Sequence, residues 1–509
     1  MLVFNPDSEI LLCSTPLESD NKNQLHFATE AAQEEYFLST VVRTYDGTTY
    51  QRKDDVIRIN ANIEDLYNCN YVMYQNRNFT NKWFYAFITD MTFLNNSTTA
   101  ITIETDVFQT WMFDVEIKPS FVAREHTNDD TIGANIVPET LDYGAYVTYQ
   151  ADQLIGSSSV IVACSSVDLT DTSFSPVTGN SYSGIYSGCA FFAYHNTTAG
   201  RNALGVALAG LTEANKANAI TAITMMSADV VGEFTDGSQI QPSSSAYRST
   251  KSVSKMYNSI DGYVPRNNKL FTYPYNLLVL TNNAGQYVNL KYEDFTSSDC
   301  SFVIYGDVST NPSVAAIPSN YKGGPWSYKV ITSEWPLCNW TYSAFDAWVA
   351  SNRNQLANNF GSALMSGALS LAQGNPGGIL SAAQNIAGQY ASWSDKETMP
   401  PASRGSSSGS LLISSGGAGI FYEKRTIKAD IARSIDDFFT MFGYATNRVK
   451  VPNIGTRQNW NYVETQHINI VGDIPNDHMD RLKEVYNSGV TIWNNPDTFG
   501  DYSQANGVV

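Results

Sequence analysis

The chain carries 41 consecutive residues without a charged side chain, Asn354 to Ser394, in a protein whose formal net charge is −18. The centre of that run, residues 358–390, reads NNFGSALMSGALSLAQGNPGGILSAAQNIAGQY. It is broken at Asn375-Pro376-Gly377-Gly378, which leaves arms of about 15 residues where a spanning helix needs ~20. An ordinary transmembrane helix is therefore excluded, and a turn between two shorter arms is expected.

Each arm has an apolar stripe. In the first, Phe360, Leu364, Ala368 and Leu371 share a helical face, with Ser362, Ser366 and Ser370 on another. In the second, Ile379, Ala383, Ile386 and Tyr390 oppose Ser381, Gln384 and Asn385. The glycines at 361, 367, 374, 377, 378 and 388 each cost a helix in water ~1 kcal/mol relative to alanine, whereas small residues suit close helix contacts or lipid. Two readings stay open: a helical hairpin packed on the protein's own core, or a membrane-active segment held shielded and released on cue.

The rest of the composition sets limits. At 509 residues the chain has room for two to four domains with real cores. The six cysteines are scattered, without a CxxC pair, and read as free buried thiols. Asp7 and Glu9 stand where a secretory signal would need a basic start and an apolar stretch, so no signal peptide is expected and the Asn-X-Ser/Thr sequons carry no weight. Lys and Arg are not clustered beyond Glu423–Lys428, so a grip on nucleic acid through released counterions is not expected. An acidic surface does allow DNA to slide past without sticking.

Much of the chain reads as β. Residues 83–116 have the aromatic and β-branched runs of a long hairpin turning at Asn95-Asn96-Ser97, and 271–306 repeat the pattern around Asn282–Gly285. Between them, SSSVIVACSS reads as a strand, and Arg201–Ala209 and Glu213–Met226 as two helices capping a sheet. A helix is expected to open near Ser343, in the tryptophan-rich text that leads into the uncharged run. Residues 401–419 are low-complexity, RSIDDFFTMFGYATNRVKV and NWNYVETQHINIVG read as strands, and a last helix runs from Asn476, its N-cap, to Tyr486.

Glu104 with Asp106, and Asp114 with Glu116, are spaced like carboxylate pairs for glycoside hydrolysis, but on alternating strands they read as the wet face. His126-Thr-Asn-Asp129-Asp130 reads as a surface loop more than a cation site. Neither HExxH nor a phosphate loop occurs. No catalytic residue, metal ligand or cofactor is expected.

Several stretches together resemble one family, the distal tail tube or tail-knob proteins of small short-tailed bacteriophages of podovirus and picovirus type. They are IETDVFQTWMFDVEIKPSFVAREH (103–126), NKLFTYPYNLLVL (268–280), WPLCNW followed by FDAWVASNRNQL, SIDDFFTMFGYATNRVKVPN (434–453) and GDIPNDHMDRLKEVYNSGVTIW (472–493). They occur in the family's order across nearly the whole chain.

The resemblance implies a virion protein of the tail tip, made in the bacterial host cytoplasm and assembled as a homo-hexamer with other phage tail proteins. It implies a fold that is mainly β with a few helices and multi-domain: β-barrel-like tube domains, an inserted α+β domain and a long apolar loop or helical hairpin. The expected divisions are an N-terminal β tube domain (1–119), an inserted α+β knob domain (120–260) and a second β tube domain (261–353). The apolar loop (354–422) and a C-terminal segment completing the tube domains (423–509) follow.

By the same resemblance, viral double-stranded DNA passes through the lumen without sequence recognition. The loop plugs that lumen, then perforates the host membrane and meets its lipids. The residues expected to do so are Phe360, Leu364, Met365, Leu369, Leu371, Pro376, Gly377, Ile379, Leu380, Ile386, Tyr390, Trp393, Leu411, Leu412, Ile413, Ile420 and Phe421. The competing expectations are a tail adhesin or head-to-tail connector without membrane activity and, third, a tail-associated wall hydrolase.

Overall fold

The structure is a computed structural model. It describes residues 8–46, 50–51, 55–77, 80–156, 160–178, 181–182, 185–186, 188–214, 216, 219–240, 248–282, 285–306, 308, 313–322, 331–334, 337–339 and 419–509. The fold is mainly β, and the chain forms two compact units. Unit 1 comprises residues 1–144, 263–270 and 429–509; unit 2 comprises 145–262 and 271–428.

Unit 1 contains a seven-stranded antiparallel sheet. Its order is β3 (Val41–Asp46), β1 (Ser8–Cys13), β6 (Tyr71–Asn76), β7 (Thr80–Asn95), β8 (Thr98–Thr105), β5 (Val56–Ile59) and β4 (Tyr50–Gln51). Side chains alternate across a strand, and here both faces are apolar. Leu11, Cys13, Tyr71, Met73, Tyr85 and Phe87 enter one cluster, and Ile10, Leu12, Val72, Tyr74, Ala86 and Ile103 enter another. The first cluster also holds Phe37 of helix α1 (Glu30–Ser39), which is capped by Thr29, and the paired Trp460 and Trp493.

A five-stranded sheet completes most of the unit, in the order β2 (Asn23–Leu25), β29 (Val490–Trp493), β27 (Trp460–Gln466), β10 (Ser120–Glu125), β26 (Tyr444–Lys450). The short pair β9 (Val115–Ile117) and β28 (Ile470–Gly472) lies apart from it.

Unit 2 has three main sheets. One runs β11 (Tyr146–Gly156), β25 (Gly419–Ile427), β19 (Asn276–Thr281), β20 (Tyr287–Leu290). The second runs β17 (Ser238–Ile240), β15 (Ala190–His195), β12 (Val160–Ser165), β16 (Ile220–Met226), β24 (Leu337–Asn339). The third runs β18 (Arg248–Ser254), β21 (Asp299–Gly306), β22 (Ser313–Pro318), β23 (Ile331–Glu334), and a small hairpin joins β13 (Ser181–Tyr182) to β14 (Ile185–Tyr186). Residues from all three main sheets meet in one core that includes Val162, Phe191, Leu278, Leu280, Phe302 and Ile420.

The long hairpin is β7 and β8, joined at Asn96-Ser97, with Ser97 N–H donating to Asn95 Oδ1 at 2.9 Å. Its expected end is corrected: residues after Thr105 leave the sheet as helix α2 (Val107–Trp111). The first middle helix is present as α3 (Thr198–Glu213), packing Leu204 and Leu211 against Phe192 and Tyr194.

The second middle helix is a strand. Ile220 to Met226 form β16, paired with β12, because the β-branched run Ile220, Thr221, Ile223 and Thr224 fits a pleated sheet better than a helix. Over so few residues, spacings of three and four overlap with alternation. Helix α4 (Ala228–Val231) follows, capped by Ser227.

SIDDFFTMF is likewise corrected from strand to helix, α5 (Ala429–Phe442), burying Ala432, Ile435, Asp436 and Phe439 at helical spacing. It stops at Gly443, whose φ of +64° suits glycine and where an added Cβ would lie 2.1 Å from the Glu125 carbonyl oxygen. The last helix is α6 (Asn476–Asn487), in which Asn476 is the first helical residue and Pro475 the cap. The helix expected near Ser343 lies outside the described residues.

Candidate functional site

The uncharged run lies between β24 and β25, both in unit 2. Its first root is the three-residue strand β24, which pairs with β16 through Ala222 with Asn339 and Thr224 with Leu337. Its second root is the nine-residue strand β25, bonded to β11 on one side and β19 on the other. The candidates from Phe360 to Ile413 lie outside the described residues. Ile420 and Phe421 are in β25: Ile420 pairs with Ile155 and is 0 % exposed in the unit 2 core, and Phe421 pairs with Gln153 and Thr281 and is half-buried.

The stretches that carry the family resemblance meet elsewhere, in a buried polar network of unit 1. Asp436 of α5 is 0 % exposed and accepts hydrogen bonds from Tyr263 Oη at 2.6 Å, Arg266 N at 2.9 Å, Asn267 N at 3.0 Å and Asn267 Nδ2 at 2.9 Å. It thus fixes the short return of residues 263–270 into this unit. Asp130 does the same one step on, accepting from Asn268 N at 3.0 Å and from Tyr444 Oη at 2.5 Å. Burial raises the Asp130 carboxyl above its ordinary range, against the lowering pull of those two bonds.

Glu139 sits between Lys269 and Arg124, both within ion-pair contact, and accepts from Ala445 N at 3.0 Å. Burial pushes its carboxyl up, but the two cations more than offset this and hold it below the usual value. Glu125 pairs with Lys450 at 2.7 Å and accepts from Asn453 N at 2.9 Å. A buried ion pair specifies geometry more than it adds stability, because desolvation cancels much of the attraction. In this network Arg124, Glu125 and His126 come from the first family-like stretch, Asn268 and Lys269 from the second, and Asp436 and Tyr444 from the fourth. The last stretch joins the first through Trp111 Nε1, which donates to His478 Nδ1 at 2.8 Å.

The carboxylate pairs do not form as such. Asp106 is not on a wet strand face: it is 0 % exposed, caps α2 by accepting from Phe108 N and Gln109 N at 3.0 Å each, and accepts from Tyr71 Oη at 3.0 Å. Burial raises its carboxyl to about 6 against those bonds. Glu104 pairs with Arg481, Asp114 with Lys82, and Glu116 with Lys118 at 2.5 Å. The loop His126–Asp130 is also more buried than a surface pattern: His126 and Asp130 are each committed to partners within the protein. Cys13, Cys69, Cys164 and Cys300 are buried and Cys189 is half-buried, and none of the five is in a disulfide.

Sequence reasoning passed over Asp436, Asn267 and Tyr263, and read Asp130 only as part of a surface loop. The available signal was Asp436 one residue after Ile435 in a segment whose apolar positions recur every three or four residues, the mark of an acidic side chain carried on the inward face of a helix.

Comparison with known proteins bears on the whole chain. A family model described as the C-terminal domain of the tail knob protein gp9 of Bacillus phage phi29 matches residues 238–507. One described as the N-terminus of the caudoviral major tail protein matches residues 8–116. The tail knob protein gp9 of Bacillus phage phi29 is 24 % identical over 97 % of this chain and 98 % of its own length. That of Bacillus phage B103 is also 24 % identical, over 98 % of each. Among solved structures, the tail knob protein gp12 of bacteriophage C1 shares the fold with a TM-score of 0.66 at 16 % identity, covering 99 % of this chain and 100 % of that one.

Proposed function

The chain belongs to the family of the tail knob protein gp9 of Bacillus phage phi29, structural proteins of the virion tail and not enzymes, and from that premise we propose that six copies form a tube at the tail tip through which the double-stranded genome leaves. The apolar segment plugs the lumen before ejection and then perforates the host membrane. In this reading residues 1–119 and 261–353 supply the tube walls, 120–260 the outer knob, 354–422 the plug, and 423–509 the strands and helices that close the walls.

The observation that carries the membrane step is the position of the uncharged run. It lies in the excursion the chain makes between β24 and β25, rooted at both ends in one compact unit. A segment so rooted can change surroundings while the unit that holds it stays folded. A charged residue at the bilayer centre would penalise insertion by ~3 kcal/mol, and the run has none. One arm is too short to span, but two arms from each of six chains can line a wet pore with Ser, Asn and Gln. A net charge of −18 per chain favours passage of DNA over adhesion to it.

The test is dye release from lipid vesicles over a range of pH, comparing the full chain with a variant in which residues 358–417 are replaced by a short Gly-Ser linker, leaving β25 intact. Release by the full chain and none by the variant is expected; equal release from both overturns the membrane step. Electron microscopy of the purified protein tests the tube separately, with six-fold rings expected. A monomer at high concentration overturns that part.

A further inference from the structure

Cys164 of β12 and Cys189, the residue before β15, meet on one face of the second sheet of unit 2. The ladder pairs Cys164 with Phe191 and Ser165 with Ala190, so Cys189 stands one position beyond the last pair. Side chains alternate along a strand, which puts Cys189, Phe191 and Cys164 on the same side. The packing agrees: Cys164 and Phe191 are buried in the unit 2 core, and Cys189 is half-buried against it. The two thiols share a hydrogen bond, and the Thr221 hydroxyl lies beside them, donating to the Cys164 carbonyl at 3.3 Å.

A single thiol in a core is ordinary packing, and Cys300 is one such. The seven-stranded sheet of unit 1 offers a closer comparison. Cys13 pairs with Tyr71 and Cys69 lies two residues before Tyr71, the same spacing along the ladder as Cys164, Phe191 and Cys189. There the two side chains enter different clusters, Cys13 with Leu11 and Cys69 with Leu12, on opposite faces of the sheet. Spacing alone therefore does not bring two thiols together. The packing at Cys189 does.

We propose that Cys164 and Cys189 form an oxidation site, reduced in the chain as it folds and joined as a disulfide outside the cell by exchange with a small-molecule disulfide. Virion surfaces are among the settings in which such bonds persist. Cys189 gives its proton to solvent, and its sulfur attacks one sulfur of the reagent RSSR, forming Cys189–S–S–R and releasing RS⁻, which takes up a proton. The Cys164 sulfur then attacks Sγ of Cys189, and its proton goes to the second RS⁻ as that leaves. The protein loses two electrons and two protons, and RSSR becomes two RSH.

The order of the steps follows from burial. Desolvation pushes the Cys164 thiol up to about 12, against the pull of the Thr221 hydroxyl, and its sulfur is covered by the core. Entry is therefore through Cys189, and Cys164 resolves the mixed disulfide. The bond closes the connection 165–188, which carries the hairpin of β13 and β14, and so restricts the unfolded chain more than the folded one. The site depends neither on the membrane step nor on the number of subunits.

The test incubates the folded full-length protein, freed of reductant, with oxidised glutathione, alkylates the remaining thiols in denaturant and reads the digest by mass spectrometry. A peptide pair linked through Cys164 and Cys189 is expected, with Cys13, Cys69 and Cys300 recovered alkylated. The oxidised protein is expected to melt about 5 °C above the reduced one, and a dithiol reductant should reverse the gain. Cys164→Ala is expected to stop at a glutathione adduct on Cys189, and Cys189→Ser to give neither the link nor the rise in Tm. Should Cys164→Ala fail to fold, the half-buried Cys189→Ser gives the same reading against the unaltered chain. Absence of the linked pair, a glutathione adduct that persists on Cys189 of the unaltered chain, equal linkage of Cys13 to Cys69, or a Tm rise retained in Cys189→Ser overturns the proposal.

Discussion

The imidazole of His126 is clamped between two backbone groups: its Nδ1 accepts from the Tyr462 N–H at 2.7 Å, and its Nε2 donates to the Thr440 carbonyl at 3.0 Å. This fixes the neutral ring with its proton on Nε2, because a second proton on Nδ1 would face the Tyr462 N–H. Burial is the main cause that pushes the ring's pKa down, to about 4; the nearby Arg457 charge adds to it and the Thr440 bond opposes it.

A folded-state value depressed from 6.5 means that the contribution of His126 is whole above pH 6.5 and lost as pH falls through about 4. The expected loss is about 3 kcal/mol across that window. Urea unfolding at a series of pH values should show the decline, and His126→Gln, which keeps an acceptor and a donor, should flatten it. An unchanged slope in the variant would sink the assignment.

Asp106 has the opposite sign. Its carboxyl is raised from 3.8 to about 6, so its contribution is whole below pH 3.8 and lost as pH rises through about 6, about 3 kcal/mol in all. Asp106→Asn keeps an oxygen for the α2 cap and removes the titration. The acid-side decline set by His126 should then become steeper in the variant, read by the same unfolding series.

Asp436 receives five hydrogen bonds from residues 263–267 while buried, four of them from N–H groups, so Asp436→Asn places an amide hydrogen against nitrogens that can only donate and removes the ion pair with Arg266. A loss of about 2–4 kcal/mol is expected in thermal or denaturant unfolding of the full chain. Hydrogen exchange should show residues 263–270 losing protection first.

Ile420 and Phe421 separate the root of the uncharged run from the run itself. Ile420→Ala removes a core side chain from a central strand and should cost about 2–5 kcal/mol. Phe421→Ala, half-buried on the other face, should cost less. Vesicle leakage measured on both variants at a temperature where each is folded should remain, if residues up to about 417 do the work.

Legibility in the sequence followed how far each signal extends. The hairpin of β7 and β8 was readable because its alternation runs over many residues and its turn carries Asn and Ser. Helix α6 was readable from its acidic first turn and apolar spacing. Over Ile220–Met226 the pattern is too short to separate period 2 from period 3.6, and the partner strand β12 decides; over Ser434–Phe442 the helical spacing of Ile435, Phe438, Phe439 and Phe442 was present but outweighed by the β propensity of the same residues.

The buried polar network was illegible for a related reason. Asp130, Glu139 and Asp436 look like surface acids until Tyr444, Lys269 and Asn267 arrive from more than a hundred residues away. What the sequence did hold was the set of stretches that bring those partners, since Arg124, Lys269, Asp436 and Tyr444 all fall within them.

The two roots of the uncharged run also differ as mechanical elements. Tension on the segment would be resisted on one side by the three pairs of β24 with β16 and on the other by the pairs that β25 makes with two neighbours, β11 and β19. The N-terminal root should therefore yield at the lower force, and any slack gained by a displaced segment would be paid out from that side while the other stayed moored.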